Sequence, residues 1–365
     1  MGTVVLQNVW KKYGEVEAVK DLNLECKEGE FLALLGPSGC GKSSTLRMIA
    51  GLEKITLGSI LIDGRRVNAL EPRQRDIAMA FEAYALYPHL TAYENIAFPL
   101  RVRGVRQQEV DRQVKEIAEM LDIGGILDRL PRNLSGGQQQ RISFARAMVR
   151  PARVYLMDEP LSHLDAKQRS QLRSELKRLH RLKGLTIIFV THDQIEAMAM
   201  ADRIAVMNLG VLQQLGTPME VFNRPRNLFV ADFVGEPPMN FLDVAVQVEG
   251  EHVLLIGDGF TLRLQDKTFS VAVSNLAGSK GILGIRPMYI DLQTEKMSAN
   301  SIPGEVMLFE SLGDTAVVTV RVGQSIIRVE TSPDTHVRAR GNVFLQFNPR
   351  HVHLFHKDTG VNLFH

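Results

Sequence analysis

The sequence is poor in the features that define several classes of protein. Its 365 residues include only two cysteines, Cys26 and Cys40, which argues against a disulfide framework and favours a reducing compartment. It has no run approaching the roughly 18 to 20 apolar residues that span a bilayer. Its N-terminus also lacks the basic, apolar and small-residue order of a secretory signal. We therefore expect a cytosolic protein that does not cross a membrane.

A strong charge of either sign is also missing. The 43 Lys and Arg residues nearly balance the 41 Asp and Glu residues, so bulk charge does not indicate binding to nucleic acid or to an acidic polymer. Hydrophobic residues make up 45% of the chain and charged residues 23%, the balance of a soluble globular protein. At about 150 residues per domain, the length predicts two or three domains.

The chain up to about Val234 alternates short apolar runs with longer segments of helical periodicity. This alternation predicts an α/β domain with a largely parallel sheet. The candidate strands are Phe31 to Leu35, Asp76 to Phe81, Val154 to Met157, Thr186 to Val190 and Ile204 to Met207. The candidate helices are Lys42 to Ala50, Glu109 to Leu121, Gln138 to Val149 and Ala166 to Leu182.

The pattern changes at Gly235-Glu-Pro-Pro, where two prolines end a helix predicted from Leu228 to Val234. Short alternating segments follow, and they predict an all-β domain that forms a small barrel. This domain has 11 basic and 14 acidic residues, net −3, which argues against a nucleic-acid reader. The predicted domains are therefore residues 1–235 and 236–365. The candidate strands of the second are Val244 to Val248, Val253 to Ile256, Thr315 to Val322, Ser325 to Val329 and Val343 to Phe347.

A phosphate-binding loop is predicted between the first candidate strand and the first candidate helix. The segment matches Gly-x-x-x-x-Gly-Lys-Ser/Thr in the strand-to-helix context that this motif requires. Its glycines let backbone N–H groups turn toward phosphates, Lys42 supplies a cation, and Ser43 offers a hydroxyl to Mg²⁺. We therefore expect ATP and Mg²⁺ to bind here. The predicted nucleotide contacts are Gly36, Pro37, Ser38, Gly39, Cys40, Gly41, Lys42, Ser43 and Ser44.

Two carboxylates follow another apolar strand, in Val154-Tyr-Leu-Met-Asp158-Glu159. Asp158 can hold Mg²⁺ through water, and Glu159 can polarise a water that attacks the γ phosphate. The alternative is a strand end with two solvated acids. Together with Lys42, Glu159 is a catalytic candidate.

The segment Leu134-Ser135-Gly136-Gly137-Gln138 at a helix start resembles the signature of the ATP-binding cassette (ABC) ATPases, and the resemblance covers nearly the whole chain. An isolated Ser-Gly-Gly would be only a helix cap. The resemblance implies a RecA-like core with a helical subdomain at about residues 85–152. It also implies that Ser135, Gly136, Gly137 and Gln138 cap the γ phosphate bound to the opposite protomer.

The same resemblance implies roles for four further residues. His192, in Val190-Thr-His-Asp, would contact the γ phosphate, and Asp165 would mediate crosstalk across a dimer. Tyr13 would stack on adenine, although a packed core aromatic is the alternative. The family carries Gln where this chain has Glu82. A carboxylate can still ligate Mg²⁺ but cannot donate the hydrogen bonds of an amide, so the alternative is that Glu82 faces solvent.

Four further segments resemble the ATPase subunits of bacterial sugar and glycerol-phosphate importers of the maltose type. They are Tyr84 to Thr91, Phe233 to Leu242, Gly284-Ile-Arg-Pro287 and Asn348 to Phe355. This likeness implies that residues 236–365 form a TOBE-like regulatory barrel of the oligonucleotide/oligosaccharide-binding (OB) type. It also implies an ATP hydrolase coupled to transport, on the cytoplasmic face of the cell membrane.

The same likeness implies the partners of the chain. They are a second copy or a close paralogue, two transmembrane permease subunits whose helices enter a groove near Glu82 to Thr91, and indirectly a solute-binding protein. No nucleic acid is expected. The alternative is a soluble ABC ATPase that acts on a non-membrane partner. The solute itself is left open among sugars, sugar alcohols and glycerol-phosphate, since polyamine and metal importers share much of this architecture.

Cys40 lies inside the phosphate loop, close to Lys42 in sequence. The cation and the converging N–H groups predict a thiol that ionises readily. The alternative is a small residue tolerated for its size.

Overall fold

The computed structural model describes residues 2–249, 252–265, 279–298, 300–335 and 337–364. They form two compact units, the first ending at Pro218 and the second beginning at Met219. Within these described ranges, no helix combines the length and apolar character needed to cross a bilayer.

The first unit is a mixed α/β structure. Its strands are β1 (Val4–Tyr13), β2 (Val16–Cys26), β3 (Phe31–Leu35), β4 (Leu57–Ile62), β5 (Arg65–Arg66), β6 (Ile77–Ala80), β7 (Val154–Asp158), β8 (Ile187–Thr191), β9 (Arg203–Asn208) and β10 (Val211–Gly216). Its helices are α1 (Lys42–Ala50), α2 (Ala92–Val102), α3 (Gln107–Met120), α4 (Gly136–Met148), α5 (Ala166–Lys183) and α6 (Gln194–Met200).

The central sheet has the strand order β10-β9-β3-β8-β7-β6. Its strands run parallel except for β10, which pairs antiparallel with β9. Every residue of β3, β7 and β8 is buried, as expected for parallel strands covered on both faces. The loops that follow β3, β6, β7 and β8 therefore lie at one edge of the sheet, where ligands of open α/β sheets bind.

A second sheet of the first unit is antiparallel and has the order β2-β1-β4-β5. One hydrophobic cluster contains Leu6 and Leu22 of this sheet, Leu34 of β3 and Ile49 of α1. Helix α1 is therefore packed into the core directly after the phosphate loop.

Local sequence signals account for the ends of several helices. At the start of α4 the Ser135 hydroxyl accepts from the backbone N–H of Gln138, whose side chain accepts from the N–H of Ser135. Thr91 and Glu94 make the same reciprocal pair at the start of α2. Helix α1 ends where Gly51 adopts φ 78° and its N–H bonds to the Met48 carbonyl.

The second unit is rich in strands, as the alternating segments predict. After helices α7 (Pro218–Asn223) and α8 (Leu228–Phe233), the strands among the described residues of this unit form two antiparallel sheets of five strands each. The strands are β11 (Asn240–Glu249), β12 (His252–Gly257), β13 (Phe260–Gln265), β14 (Lys280–Ile285), β15 (Ile290–Gln293), β16 (Ile302–Ser311), β17 (Ala316–Val322), β18 (Ser325–Thr331), β19 (Asn342–Phe347) and β20 (His353–His356). The sheet orders are β13-β12-β11-β14-β20 and β15-β19-β16-β17-β18.

The two compact units divide earlier in sequence than the predicted domains. Arg286 is 2% exposed and donates from Nη2 to the carbonyl of Phe222 at 2.6 Å and from Nη1 to that of Val234 at 2.5 Å. These bonds attach the chain from α7 to Val234 to the β sheets. The two prolines after Gly235, on which the predicted domain boundary rests, do not indicate these hydrogen bonds of Arg286.

Candidate nucleotide site

The phosphate loop joins the end of β3 to the start of α1. At two of its positions only glycine fits, because a Cβ atom would overlap the neighbouring backbone. A Cβ atom on Gly36 would lie 2.3 Å from the carbonyl oxygen of Met207. Gly41 has φ +102°, and a Cβ atom there would lie 2.4 Å from the carbonyl oxygen of Ala18. A larger residue at either position would displace the backbone. Ser38 and Gly39 lie exposed at the tip of the loop.

Lys42 is only 4% exposed, and its ammonium lies against the loop itself. Nζ donates to the carbonyl oxygens of Gly36 at 2.7 Å and Pro37 at 2.9 Å. The loop thus brings one cation to the N-terminus of α1, where backbone N–H groups favour anions. This arrangement suits the phosphates of a nucleotide.

Ser43, in the first turn of α1, and Asp158, at the end of β7, are in contact in the structure. The Ser43 hydroxyl donates to Oδ1 of Asp158 at 2.8 Å, and Asp158 is 3% exposed. Burial raises the pKa of the Asp158 carboxyl, while the bond from Ser43 and the charges of Arg47 and Lys42 oppose this rise. A hydroxyl beside a carboxylate is a hard oxygen donor set, which fits Mg²⁺.

Glu159 adopts an unusual backbone conformation for a residue with a side chain. Its φ is +42°, and its N–H donates to the Val190 carbonyl at 3.0 Å. Its own carbonyl accepts from the Ser162 hydroxyl at 2.9 Å. Left-handed backbone in a non-glycine residue is costly and concentrates at functional sites. These bonds hold the Glu159 backbone at the turn directly after β7.

His192 directly follows β8, the neighbour of β7 in the sheet. Asp158 pairs with Val190 across the two strands, so the residues that follow them share one edge. The His192 Nδ1 atom lies 2.9 Å from Oε2 of Glu159. A carboxylate only accepts hydrogen bonds, so Nδ1 is the donor and Nε2 is left for another partner.

Glu82 follows the end of β6, and its side chain is 54% exposed. Its Oε1 atom lies 3.8 Å from Nε2 of His163. In the part of the chain that the structure describes, no hydrogen bond joins Glu82 to Ser43 or Asp158. The magnesium role of Glu82 therefore stays a prediction.

Tyr13 ends β1 and is a surface residue, 44% exposed, rather than a core aromatic. Its hydroxyl donates to Glu53 and lies 3.4 Å from the Ser44 hydroxyl. The Lys11 ammonium lies 4.4 Å from the centre of its ring. The ring is thus placed beside the phosphate loop, where adenine stacking is predicted.

The sequence analysis did not identify Glu53, which accepts a hydrogen bond from the Tyr13 hydroxyl. Glu53 also pairs with Lys11 at 3.3 Å and with Arg47 at 3.9 Å. Because Glu53 and Tyr13 are 40 positions apart, no local sequence pattern connects them.

Ser135 and Asp165 are both N-caps of helices. Asp165 accepts from the backbone N–H of Gln168 at 2.8 Å at the start of α5. A Cβ atom on Gly137 would lie 2.1 Å from the Gln168 side chain, so α4 and α5 begin close together. The first N–H groups of α4, at Gly136 and Gly137, have no partner within the helix and can bind an anion. The roles of these residues across a dimer stay predictions.

Cys40 contradicts one expectation. Burial raises the pKa of the Cys40 thiol, and this outweighs the opposing effect of Lys42, whose Nζ lies 3.8 Å from Sγ. The prediction that the thiol ionises readily is therefore wrong. The reason is that Cys40 is only 2% exposed, which sequence spacing does not reveal.

A phosphate loop, a buried carboxylate bonded to its serine, and a Glu–His pair at one edge of a mainly parallel sheet define a P-loop nucleoside triphosphate hydrolase. Comparison with known families is more specific. The ABC transporter model matches residues 19–162, the MalK OB fold domain model residues 235–288, and the TOBE domain model residues 283–355.

Curated relatives match over full length. The chain is 49% identical to the trehalose/maltose import ATP-binding protein MalK of Thermococcus litoralis, covering 100% of both chains. It is 44% identical to the sn-glycerol-3-phosphate import ATP-binding protein UgpC of Bordetella avium, covering 99% of this chain and 98% of the relative. It is 45% identical to UgpC of Escherichia coli over 99% of both. The chain belongs to the family of ABC import ATP-binding proteins, which are ATP hydrolases coupled to transport.

Solved structures agree with this assignment for part of the chain. The dimeric structure of the ATP-binding cassette MJ0796 in a post-hydrolysis state, bound to ADP and Pi, is 34% identical with a TM-score of 0.54. It covers 59% of this chain and 98% of that chain. The predicted fold, a cassette followed by OB and TOBE domains, and the predicted importer family are confirmed.

Proposed function

We propose that this chain powers an importer for sugars, sugar alcohols or glycerol-phosphate from the cytoplasmic face of the cell membrane. The observation that carries this proposal is the Glu159–His192 pair beside the phosphate loop, in a chain that resembles MalK and UgpC over its full length. These relatives give no support to a soluble ATPase with a non-membrane partner.

The residues at the sheet edge have distinct parts in hydrolysis. Lys42 and the N–H groups of the loop bind the β and γ phosphates. Ser43 and Asp158 would hold Mg²⁺, which neutralises phosphate charge when bound. Glu159 orients a water and accepts its proton as the oxygen attacks the γ phosphorus and ADP leaves. His192 holds the Glu159 carboxylate through Nδ1 and presents Nε2 to the γ phosphate.

The site is completed by a second copy or a close paralogue. In this arrangement the N-terminus of α4, with Ser135 and its glycines, binds the γ phosphate held by the opposite protomer, and the Asp165 loop lies beside it. The dimeric state of the similar cassette MJ0796 supports this arrangement. Residues 236–365 serve as the regulatory domain.

The permease helices dock into a groove of the first unit. This groove has a volume of about 620 Å³ and includes Phe81, Tyr87 and Phe98, with Arg146 and Arg150 beside them. Tyr87 and Phe98 are each 38% exposed, which is large for aromatic side chains. An exposed apolar groove is a surface that a partner can cover.

Reconstitution tests the whole proposal. The chain is co-purified with two candidate permease subunits and placed in proteoliposomes with the corresponding solute-binding protein. ATP hydrolysis is then measured with maltose, trehalose, sugar alcohols or glycerol-3-phosphate. We expect stimulation by one class of solute, and we expect Phe98→Asp to abolish co-purification without changing ATP binding. Stimulation only by polyamines or metals, or copurification with soluble partners alone, would overturn the proposal.

A further inference from the structure

Two neighbouring strands end in equivalent acidic positions. Strands β6 and β7 are parallel, and Ala80 pairs with Met157. The residue two positions beyond each of them is a glutamate, Glu82 after β6 and Glu159 after β7. The two carboxylates therefore leave the same edge of the sheet from adjacent strands.

Each of these glutamates faces a histidine from a later loop. His192 contacts Glu159 at 2.9 Å, and His163 contacts Glu82 at 3.8 Å. His163 lies between β7 and α5, in the loop that also contains Asp165. The second pair thus connects the loop after β6 to the loop after β7.

The segment that carries Glu82 is contacted by Arg146 from α4 and by His163 from the loop after β7. The guanidinium of Arg146, on α4, donates to the carbonyl oxygens of Tyr84 and Ala85 at 3.1 and 2.6 Å. On the other side, the His163 ring lies edge-on to the Tyr84 ring, with 6.2 Å between the ring centres. His163 therefore touches this segment at Glu82 and at Tyr84.

The charges at this edge explain why Glu82 needs such a partner. Asp158 and Glu159 already place negative charge at this edge of the sheet, and Glu82 leaves the same edge as a third carboxylate. An unpaired carboxylate repels the γ phosphate. The Nε2 atom of His163, 3.8 Å from Oε1 of Glu82, is the nearby group that can offset this charge.

We propose that His163 is a positioning residue of the ATPase site: it holds Glu82 and offsets its charge, and so permits ATP to bind in the presence of this third carboxylate. The inference rests on the proposed ATPase function. Both side chains are 54% exposed, and exposed ion pairs add little to folding stability. Loss of His163 should therefore affect nucleotide binding and leave unfolding unchanged.

Four forms of the complete transporter test this proposal: wild type, His163→Asn, Glu82→Gln and the double variant. ATPase rates are measured against ATP at limiting Mg²⁺, together with thermal unfolding. We expect His163→Asn to raise the half-saturating ATP concentration about threefold to fivefold, with a smaller change in maximal rate. In the Glu82→Gln background the same substitution should have no effect, because no charge is left to offset.

His163→Gln gives a second measure, because its side chain is one methylene longer than that of asparagine and its amide can reach the carboxylate to donate to it. We expect it to recover at least half of the affinity lost in His163→Asn. Glu295→Gln, an exposed carboxylate of the second unit, is the matched control and should behave as wild type.

Three outcomes would overturn the proposal. The first is an unchanged half-saturating ATP concentration in His163→Asn. The second is an equal effect of His163→Asn in the wild-type and Glu82→Gln backgrounds. The third is a lowered unfolding temperature in His163→Asn that accounts for its loss of ATP affinity. Failure of the proposed function is distinct, since the wild-type transporter itself would then lack solute-stimulated ATP hydrolysis.

Discussion

Glu159 and His192 lie 2.9 Å apart although they are separated by 33 positions in sequence. Their contact joins the ends of β7 and β8, two buried parallel strands. The geometry of the pair is therefore set by the sheet, and side-chain chemistry can be altered there without moving the backbone. This permits sharp tests by substitution.

Glu159→Gln should abolish turnover and leave ATP binding nearly unchanged. The amide preserves the shape but cannot accept the proton of the attacking water, and such groups contribute about 100-fold to 10,000-fold to rates. Phosphate release measures turnover, and light scattering after gel filtration should detect a trapped nucleotide-bound dimer. Glu119→Gln, on the exposed face of α3, is the control. Phosphate release close to the wild-type rate would contradict the assignment.

Lys42→Ala should weaken ATP binding itself. The substitution removes the cation that the loop holds with two carbonyl oxygens, and hydrogen bonds to charged groups contribute about 1.5 to 3 kcal/mol. Titration calorimetry should show a loss of roughly tenfold to 100-fold in affinity. Lys27→Ala, an exposed lysine after β2, should bind as wild type. Equal affinities in the two variants would count against the site.

Tyr13 should matter through its ring more than through its hydroxyl. Stacking of a base on an aromatic side chain contributes about 1 to 3 kcal/mol, so Tyr13→Ala should lose roughly fivefold to 100-fold in ATP affinity. Tyr13→Trp should keep most of it, and Tyr13→Phe should lose little, since only the exposed contacts of the hydroxyl with Glu53 and Ser44 disappear. A fluorescent ATP analogue reports these affinities. A loss in Tyr13→Phe as large as that in Tyr13→Ala would contradict stacking.

Cys40 should react slowly with maleimide at neutral pH and faster as the pH rises. Burial raises the pKa of its thiol, so the neutral form is favoured below that pKa and the reactive thiolate increases about tenfold per pH unit. Labelling between pH 7 and 9, followed by mass spectrometry, measures this slope, and ATP should protect. Burial raises the pKa of Cys26 as well, so Cys40→Ser should label even less. A rate at pH 7 equal to that of free cysteine would contradict the burial argument.

Arg286→Met should destabilise the protein. Burial lowers the pKa of Arg286 to about 10, and its guanidinium satisfies the buried carbonyl oxygen of Val234 and the partly buried one of Phe222. Each unsatisfied buried group costs about 1 to 3 kcal/mol, so for the two carbonyl groups we expect a loss of about 2 to 6 kcal/mol in the free energy of unfolding. Urea denaturation measures it. Arg321→Met, at an exposed arginine, should change it by less than about 0.5 kcal/mol, and equal losses in both variants would contradict the role of Arg286.

The parallel sheet and the phosphate loop were the most predictable parts of the fold. Strand β3 and helix α1 have the predicted bounds, and the other predicted elements of the first unit lie within about two residues of theirs. A continuous apolar run between breaker residues has few alternatives to a buried strand. Strands β1 and β2 were not among the candidates, because polar residues interrupt their apolar pattern.

Contacts between residues that are far apart in sequence are the part of the site that the sequence does not predict. The start of α2 carries a readable signal in Thr91 and Glu94, since a Thr-x-x-Glu pattern forms a capping box. No local sequence pattern predicts the hydrogen bond of Tyr13 to Glu53 or that of Arg286 to Val234. Each of these bonds joins segments that are distant in sequence and meet only when the chain packs. The same holds for the burial that determines the state of Cys40.

The pairing of Ala80 with Met157 has a consequence for how this site can change by mutation. Substitution at position 82 alters the chemical group and leaves its place unchanged. Insertion or deletion of one residue between Ala80 and Glu82 would displace the group along the chain by up to about 3.3 Å from the end of β6. The site can therefore accept a new side chain at this position but not a new spacing.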